Sequence, residues 1–436
     1  MLKILLVNDV FPHINNRTTI FLRNIVSMLS KKFDVKVYWL ITDNYGKKCE
    51  TANSNYEILY MSDFTNALQL IEKIKPDLMY YLIGWHITDY ALMVVGNYLK
   101  IPSFGYCEGS SQIGYFDAND SKLRQTSEYL KQSMIMKNVS ENNNIKKSRA
   151  VNFIKKVLFL YRSISSIKKS HILAVREIFS FFSLLLEDKS TVGLYSKFNC
   201  DLMFTERLAS IDTLVKWGLK KENCVIIDNP AYDKAFKESK QLSKKFKEKI
   251  NIIFITSNLS GAQGKSNWSI TKRNQMIKEL IISLNKINQD ISLTIKIHPT
   301  SEDYIEYKKL LQPFKDVYLS QIDEITDLLH KSDIVITPCA STAGMFALIM
   351  KKPIVIWNYF QVSGDVLLKK NIVLECKNST ELYSCINNAE SFRIKNNQKI
   401  NEFITETLGD GNSIKKSVYE LEKWLKSNKI INLEKG

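Results

Sequence analysis

Proline and glycine are scarce, 8 and 15 in 436 residues, which excludes a collagen-like repeat and a long flexible linker. Cysteine is sparse and follows no pairing pattern: the seven residues stand singly at 49, 107, 200, 224, 339, 376 and 385. With no CxxC spacing and an odd total, neither a zinc module nor a disulfide framework is expected, and a reducing, cytoplasmic compartment is. Long apolar runs are missing as well. The stretch Ile178 to Leu186 falls far short of the roughly 20 residues that cross a bilayer, and Arg176, Glu177, Glu187 and Asp188 flank it. The opening Met1-Leu-Lys-Ile-Leu-Leu-Val-Asn-Asp9 has no cleavage site behind it and reads as a buried strand, not a signal peptide. Acidic residues are in deficit, 45 against 61 Lys and Arg, for a net charge of +16. Such a field draws anionic partners: nucleotides, nucleic acid or an acidic membrane surface. Nucleic acid is not expected, since no aromatic-basic motif, helix-turn-helix or zinc knuckle is present.

What is present is a packed globular composition, 45% hydrophobic and 24% charged, long enough for two or three domains. Apolar, β-branched runs at Leu2 to Val7, Val35 to Ile41, Asp77 to Ile83 and Pro102 to Tyr106 alternate with segments of helical spacing. A second alternating series starts at Ile250 and runs through Ser292 to Ile297, Ile334 to Pro338 and Pro353 to Trp357. The pattern predicts an α/β protein with two tandem doubly wound, Rossmann-like domains, each a parallel sheet covered on both faces. We place the first at 1–233, with a helical insertion at about 121–196, and the second at 234–436, including a terminal helix from Ser413 to Lys426. The Lys-rich stretch Lys234 to Lys249 reads as an exposed helix crossing between them.

In open parallel sheets ligands sit outside the carboxyl ends of the strands. Three loops of the second domain fall there. The first carries Ser257, Asn258, Gly261 and Lys265, and matches neither the Walker pattern nor GxGxxG. The next follows Lys296 and brings His298 and Pro299 to the end of a strand. The third carries Ser341, Thr342 and Gly344 where a helix begins, and reads either as an ordinary helix cap or as a phosphate cradle. In the first domain the corresponding loops hold Asp9, His13, Asn16 and Arg17, then His86, then Glu108 before Gly109. Glu108 is a carboxylate at a strand end, placed for a general base. Metal-ligand spacing is absent, and Glu302 and Asp303 read as caps and surface charges. No GxSxG elbow is present, against an α/β-hydrolase.

The series Ile-Lys-Ile-His298-Pro299, Asp323 to Thr337, Ala-Ser341-Thr342-Ala-Gly344 and Lys352-Pro353-Ile-Val-Ile-Trp357 resembles the donor domain of GT-B glycosyltransferases of bacterial surface polysaccharide synthesis. Similar HP and Ser/Thr motifs occur in transferases using CMP-sialic acid or CMP-Kdo and in CDP-glycerol glycerophosphotransferases. The resemblance covers the second domain, and it implies two domains facing across a cleft. It implies that His298 contacts the donor phosphate or assists departure of CMP, that Ser341 and Thr342 hold that phosphate, and that Glu108 is the base, with Cys107 standing where a second acid is common. The expected activity is inverting, metal-independent sugar transfer from a nucleotide sugar, CMP-linked above others, to a surface glycan or glycolipid. Beyond that co-substrate no cofactor is expected. A UDP-GlcNAc 2-epimerase-like isomerase and a CDP-polyol phosphotransferase are the alternatives.

The insertion has its own pattern. Between Ile145 and Arg176 there is no Asp or Glu. At about 100° per residue, Phe153, Val157, Leu160, Ile164 and Ile167 fall on one face, opposite Lys155, Arg162 and Lys169. A helix lying on an anionic membrane at the cytoplasmic face and a helix packed on the first domain both fit this pattern.

Overall fold

The computed structural model describes residues 1–8, 11–12, 17–42, 56–82, 87–107, 143–186, 200–206, 211, 214–215, 219–240, 249–256, 269–287, 290–298, 302–314, 316–360 and 365–430. Among these, residues up to Ala231 and from Asn412 onward form one compact unit, and Tyr232 to Gly411 form the other.

The first unit runs β1 (Leu2–Asn8), α1 (Arg17–Ser30), β2 (Val35–Ile41), β3 (Tyr56–Tyr60), α2 (Ala67–Ile74), β4 (Leu78–Leu82), α3 (Ile87–Tyr98) and β5 (Ser103–Cys107). It continues with α4 (Asn143–Lys168), α5 (His171–Leu186), β6 (Leu202–Thr205) and β7 (Cys224–Ile226). The strands form a parallel sheet in the order β3-β2-β1-β4-β5-β6-β7. Side chains alternate across it, as the period of a strand requires. Leu2, Ile4, Leu6, Trp39, Tyr80 and Phe204 pack under α1, while Leu5, Val7, Leu40, Met79 and Met203 pack under α2, α3 and the α4–α5 hairpin.

The second unit runs α6 (Tyr232–Ser239), β8 (Ile250–Ile255), α7 (Ile270–Asn285), β9 (Ile291–Lys296), α8 (Tyr304–Leu311), β10 (Val317–Ser320), α9 (Ile325–Lys331) and β11 (Ile334–Thr337). Then come α10 (Thr342–Ile349), β12 (Ile354–Trp357), α11 (Val366–Lys369), β13 (Leu374–Cys376), α12 (Leu382–Lys395) and α13 (Asn397–Thr407). Its sheet is also parallel, in the order β10-β9-β8-β11-β12-β13. The two doubly wound units match the expected fold class.

One placement differs from the sequence reading, and two others are filled in by the structure. The terminal helix α14 (Ser413–Ser427), expected with the second domain, belongs to the first unit. Its stripe Ile414, Val418, Leu421 and Leu425 completes the core beside Phe21, Leu22 and Ile25 of α1. Ion pairs from Lys32 to Glu422 at 2.7 Å and from Lys416 to Asp228 at 2.9 Å flank that contact. Helix α6 covers the start of the Lys-rich stretch, of which 241–248 lie outside the described residues; Lys234, Lys237 and Lys240 are exposed, as expected, while Tyr232 and Ala235 on its other side are buried in the second unit, the Tyr232 ring meeting Phe346 edge-on at 5.0 Å. Of the two readings of α4, the structure takes the packed one, so its apolar face is not free for a membrane. Leu160, Ile164 and Ile167 are in the core of the first unit, and Phe153 and Val157 pack against it half-buried. Among the described residues no helix is long and apolar enough to cross a membrane.

Candidate active site

The order of each sheet reverses once, between β1 and β4 in the first unit and between β8 and β11 in the second. Ligands of open α/β sheets bind at the carboxyl ends of the strands beside such a reversal. In the second unit β9 and β11 flank β8 there, so their ends lie roughly 10 Å apart at the usual strand spacing.

After β9 the chain makes a buried polar cluster around Glu302, which is itself buried. One carboxylate oxygen accepts the Thr256 hydroxyl, at the end of β8, and the backbone N–H of His298 at 2.8 Å. The other accepts the Tyr307 hydroxyl at 2.5 Å. Burial first, and the Glu302 charge second, push the Tyr307 phenol far above its ordinary range, so it serves as a fixed donor. Below it the buried Arg273 guanidinium stacks on the Tyr307 ring at 4.5 Å and pairs with Glu306 at 3.2 Å. Gln321 closes the other side, its amide donating to the carbonyls of Glu302 at 2.9 Å and His298 at 3.4 Å. The half-buried His298 is thus pinned through both its N–H and its C=O. Asp303 next to it caps α8, accepting from Ile305 at 2.7 Å and Glu306 at 3.3 Å. The cap expected at this pair is therefore Asp303. Glu302, read from sequence as a cap or surface charge, is instead the buried acceptor that orders the His298 turn.

Lys296 is also buried, and its ammonium donates to the Gln321 carbonyl. Burial lowers its pKa below the ordinary lysine value, with the Asp323 carboxylate opposing that shift. It thereby bonds the residue whose amide holds the His298 turn.

After β11, the buried Asp365 accepts the Ala340 N–H at 2.5 Å and caps α11 through the N–H groups of Leu367 and Leu368. Thr337 ties its hydroxyl to the Cys339 carbonyl at 2.9 Å. The segment so fixed delivers Ser341 as the N-cap of α10, its hydroxyl accepting from the Gly344 N–H at 3.1 Å. Ser341 is therefore a helix cap, and the exposed Thr342 opens the helix beside it. A Cβ on Gly344 would meet only Ser341 Oγ, at 3.7 Å, so the protein's own packing does not require glycine there.

Of the other candidates, Asp9, His13, Asn16, His86, Glu108, Ser257, Asn258, Gly261, Lys265 and Pro299 lie outside the described residues. Arg17 is the first residue of α1. The first unit contributes one carboxylate that sequence reasoning did not single out. Glu206 follows β6, is buried, and accepts the Tyr106 hydroxyl at 2.5 Å. A groove of about 760 Å³ in this unit, lined by Tyr98, Ile101, Asp201, Lys220 and Trp424, opens at the amino ends of β5 to β7, away from these loops. Among the described residues no three His, Cys, Asp or Glu side chains converge as metal ligands would.

No protein family matches this sequence, and neither does any curated protein. The fold nonetheless has solved counterparts. It is similar to the wall teichoic acid polymerase TagF (H444N variant), at 10% identity and TM-score 0.52, over 98% of this chain and 89% of that one. It is similar to the UDP-GlcNAc 2-epimerase from Neisseria meningitidis bound to UDP-GlcNAc, at 13% identity and TM-score 0.50, over 97% and 100%. It is also similar to CalG4, the calicheamicin glycosyltransferase, at 9% identity and TM-score 0.50, over 98% of each chain. At these identities the likeness establishes the fold: two doubly wound parallel units of the kind found in GT-B enzymes.

Proposed function

We propose that this chain transfers a sugar from a nucleotide-sugar donor to a hydroxyl acceptor, with inversion at the anomeric carbon. The observation that carries this reading is the pinned turn after β9, which holds His298 across one intervening strand from the capped start of α10. An imidazole and a helix amino end presented to one anion suit a phosphate that gains charge as it leaves. In this scheme Glu108 takes the proton of the acceptor hydroxyl, and the oxygen attacks the anomeric carbon. The bond from that carbon to the phosphate oxygen breaks, its electron pair staying on the phosphate, where His298, Thr342 and the α10 amino end stabilise it.

The HP and Ser/Thr motifs favour a CMP-sugar of the sialic acid or Kdo type, and a surface glycan or glycolipid acceptor. UDP- and CDP-linked donors are the competitors: similar motifs occur in CDP-glycerol glycerophosphotransferases, and the fold is similar to a wall teichoic acid polymerase, a glycosyltransferase and a 2-epimerase bound to UDP-GlcNAc. Thermal unfolding with each nucleotide in turn ranks the donors, since a ligand that binds only the native state raises Tm. The expected order puts CMP above CDP and UDP. No shift with any nucleotide would count against the reading, and conversion of a UDP-sugar without acceptor would replace transferase by isomerase.

A further inference from the structure

The hairpin of α4 and α5 is apolar on both of its sides. Toward the sheet it buries Leu160, Ile164, Ile167, Ala174 and Phe181. On the outward side Ile172 is 82% exposed, Phe179 71% and Ile154 55%, with Val175 and Leu158 exposed beside them. Positions 172, 175 and 179 form one stripe of α5, opposite the buried 174 and 181 and the half-buried 178, where a solvent-facing helix ordinarily carries polar residues.

Cations border this stripe. Lys155, Arg162, Lys168, Lys169 and Arg176 are exposed, and no acidic residue occurs from Ile145 to Arg176. The next residue, Glu177, turns its carboxylate inward to accept the Tyr90 hydroxyl at 3.0 Å. The Lys168 ammonium lies over the ring of Tyr98 at 5.6 Å, which extends the patch to the end of α3.

We propose that this outward face docks on an anionic lipid bilayer, with Ile172 and Phe179 entering at headgroup level and the surrounding cations meeting lipid phosphates. The face is the one opposite to the α4 stripe expected from sequence, which is spent on the core. Charge selects the occupant. A two-fold contact with a second copy would set these cations against one another, whereas an anionic leaflet supplies the opposite charge. At 16 residues α5 is too short to span, so the hairpin lies on the surface. The inference does not depend on the donor chemistry.

Sedimentation of the full chain with phosphatidylcholine vesicles, and with vesicles that also contain phosphatidylglycerol, is the experiment. The chain is expected to pellet with the anionic vesicles alone and to be released by salt. Ile172→Ser with Phe179→Ser, or Lys155→Glu with Arg162→Glu, should weaken that binding about tenfold or more. All four side chains are exposed, so Tm and nucleotide binding should stay at the parent values. Equal pelleting with both lipids, or undiminished binding in both double variants, would overturn the proposal. So would a concentration-dependent dimer that the Ile172→Ser, Phe179→Ser variant abolishes in the absence of any vesicle binding, since that assigns the face to a second copy.

Discussion

Glu302→Ala withdraws one acceptor from three donors at once: the buried Thr256 and Tyr307 hydroxyls and the His298 N–H. A buried donor left unpaired costs about 1–3 kcal/mol. The two hydroxyls can rotate or take a water in the vacated space, but the amide cannot turn, so the expected loss is about 3–5 kcal/mol. Glu302→Gln is a graded control. Its amide oxygen can accept from Thr256 and His298, as one oxygen does now, while its NH2 faces the Tyr307 hydroxyl, which can rotate to accept. That leaves mainly the loss of charge assistance, about 1 kcal/mol. Denaturant unfolding measures the cost, and hydrogen exchange at the His298 amide reads the local pin. We expect the Ala variant to expose that amide and lose activity, and the Gln variant to keep most of both. A cost below about 1 kcal/mol for Ala, with His298 exchange unchanged, would refute the assignment of Glu302 as organiser of the turn.

Four further outcomes follow from the same geometry. Ser341→Ala removes a helix cap and should cost about 1 kcal/mol. Thr342→Val, at the exposed first position of α10, should weaken nucleotide binding roughly tenfold if its hydroxyl meets a charged phosphate; calorimetric titration measures that loss, and thermal unfolding that of the cap. Gly344→Ala has room for its Cβ, so stability should hold or rise by up to about 1 kcal/mol of helix propensity. Titration of the same variant should show weaker nucleotide binding, because a ligand phosphate at that backbone has no space for a methyl. Tyr307 keeps its proton in the folded state well above its ordinary pKa of 10.0. Above pH 10 the unfolded chain therefore releases a proton that the folded chain retains, and stability falls as pH rises. Tyr307→Phe should lessen that alkaline fall in a pH series of unfolding curves, while lowering stability at neutral pH through the lost bond to Glu302.

The strand–helix alternation was legible because long, apolar central strands announce themselves. Two of the four edge strands were not: β3 and β13 lie at the ends of their sheets and are short and half-exposed, so their sequences lack a continuous apolar run. The stripe of α14 and the apolar face of α4 were readable from spacing, yet spacing says only that a face is buried, not against what. Long-range partners decided both. Glu302 shows the same limit at the site. In sequence it is one of two acids before a helix, and its burial comes from Thr256, 46 residues earlier. Glu206 likewise meets Tyr106 across 100 residues. The strand-end position of His298 and the helix cap at Ser341 were legible because a strand end followed by Pro or by a Ser/Thr cap has a local signature.

Product analysis tests the central claim most directly. Wild-type chain and His298→Ala would each be incubated with CMP-, CDP- and UDP-sugars, with and without a glycan acceptor bearing a free hydroxyl. The account predicts acceptor-dependent release of one nucleotide, a glycoside of inverted anomeric configuration in equal amount, and loss of both in His298→Ala at unchanged Tm. A nucleotide sugar rearranged without acceptor, or full turnover by His298→Ala, would contradict it.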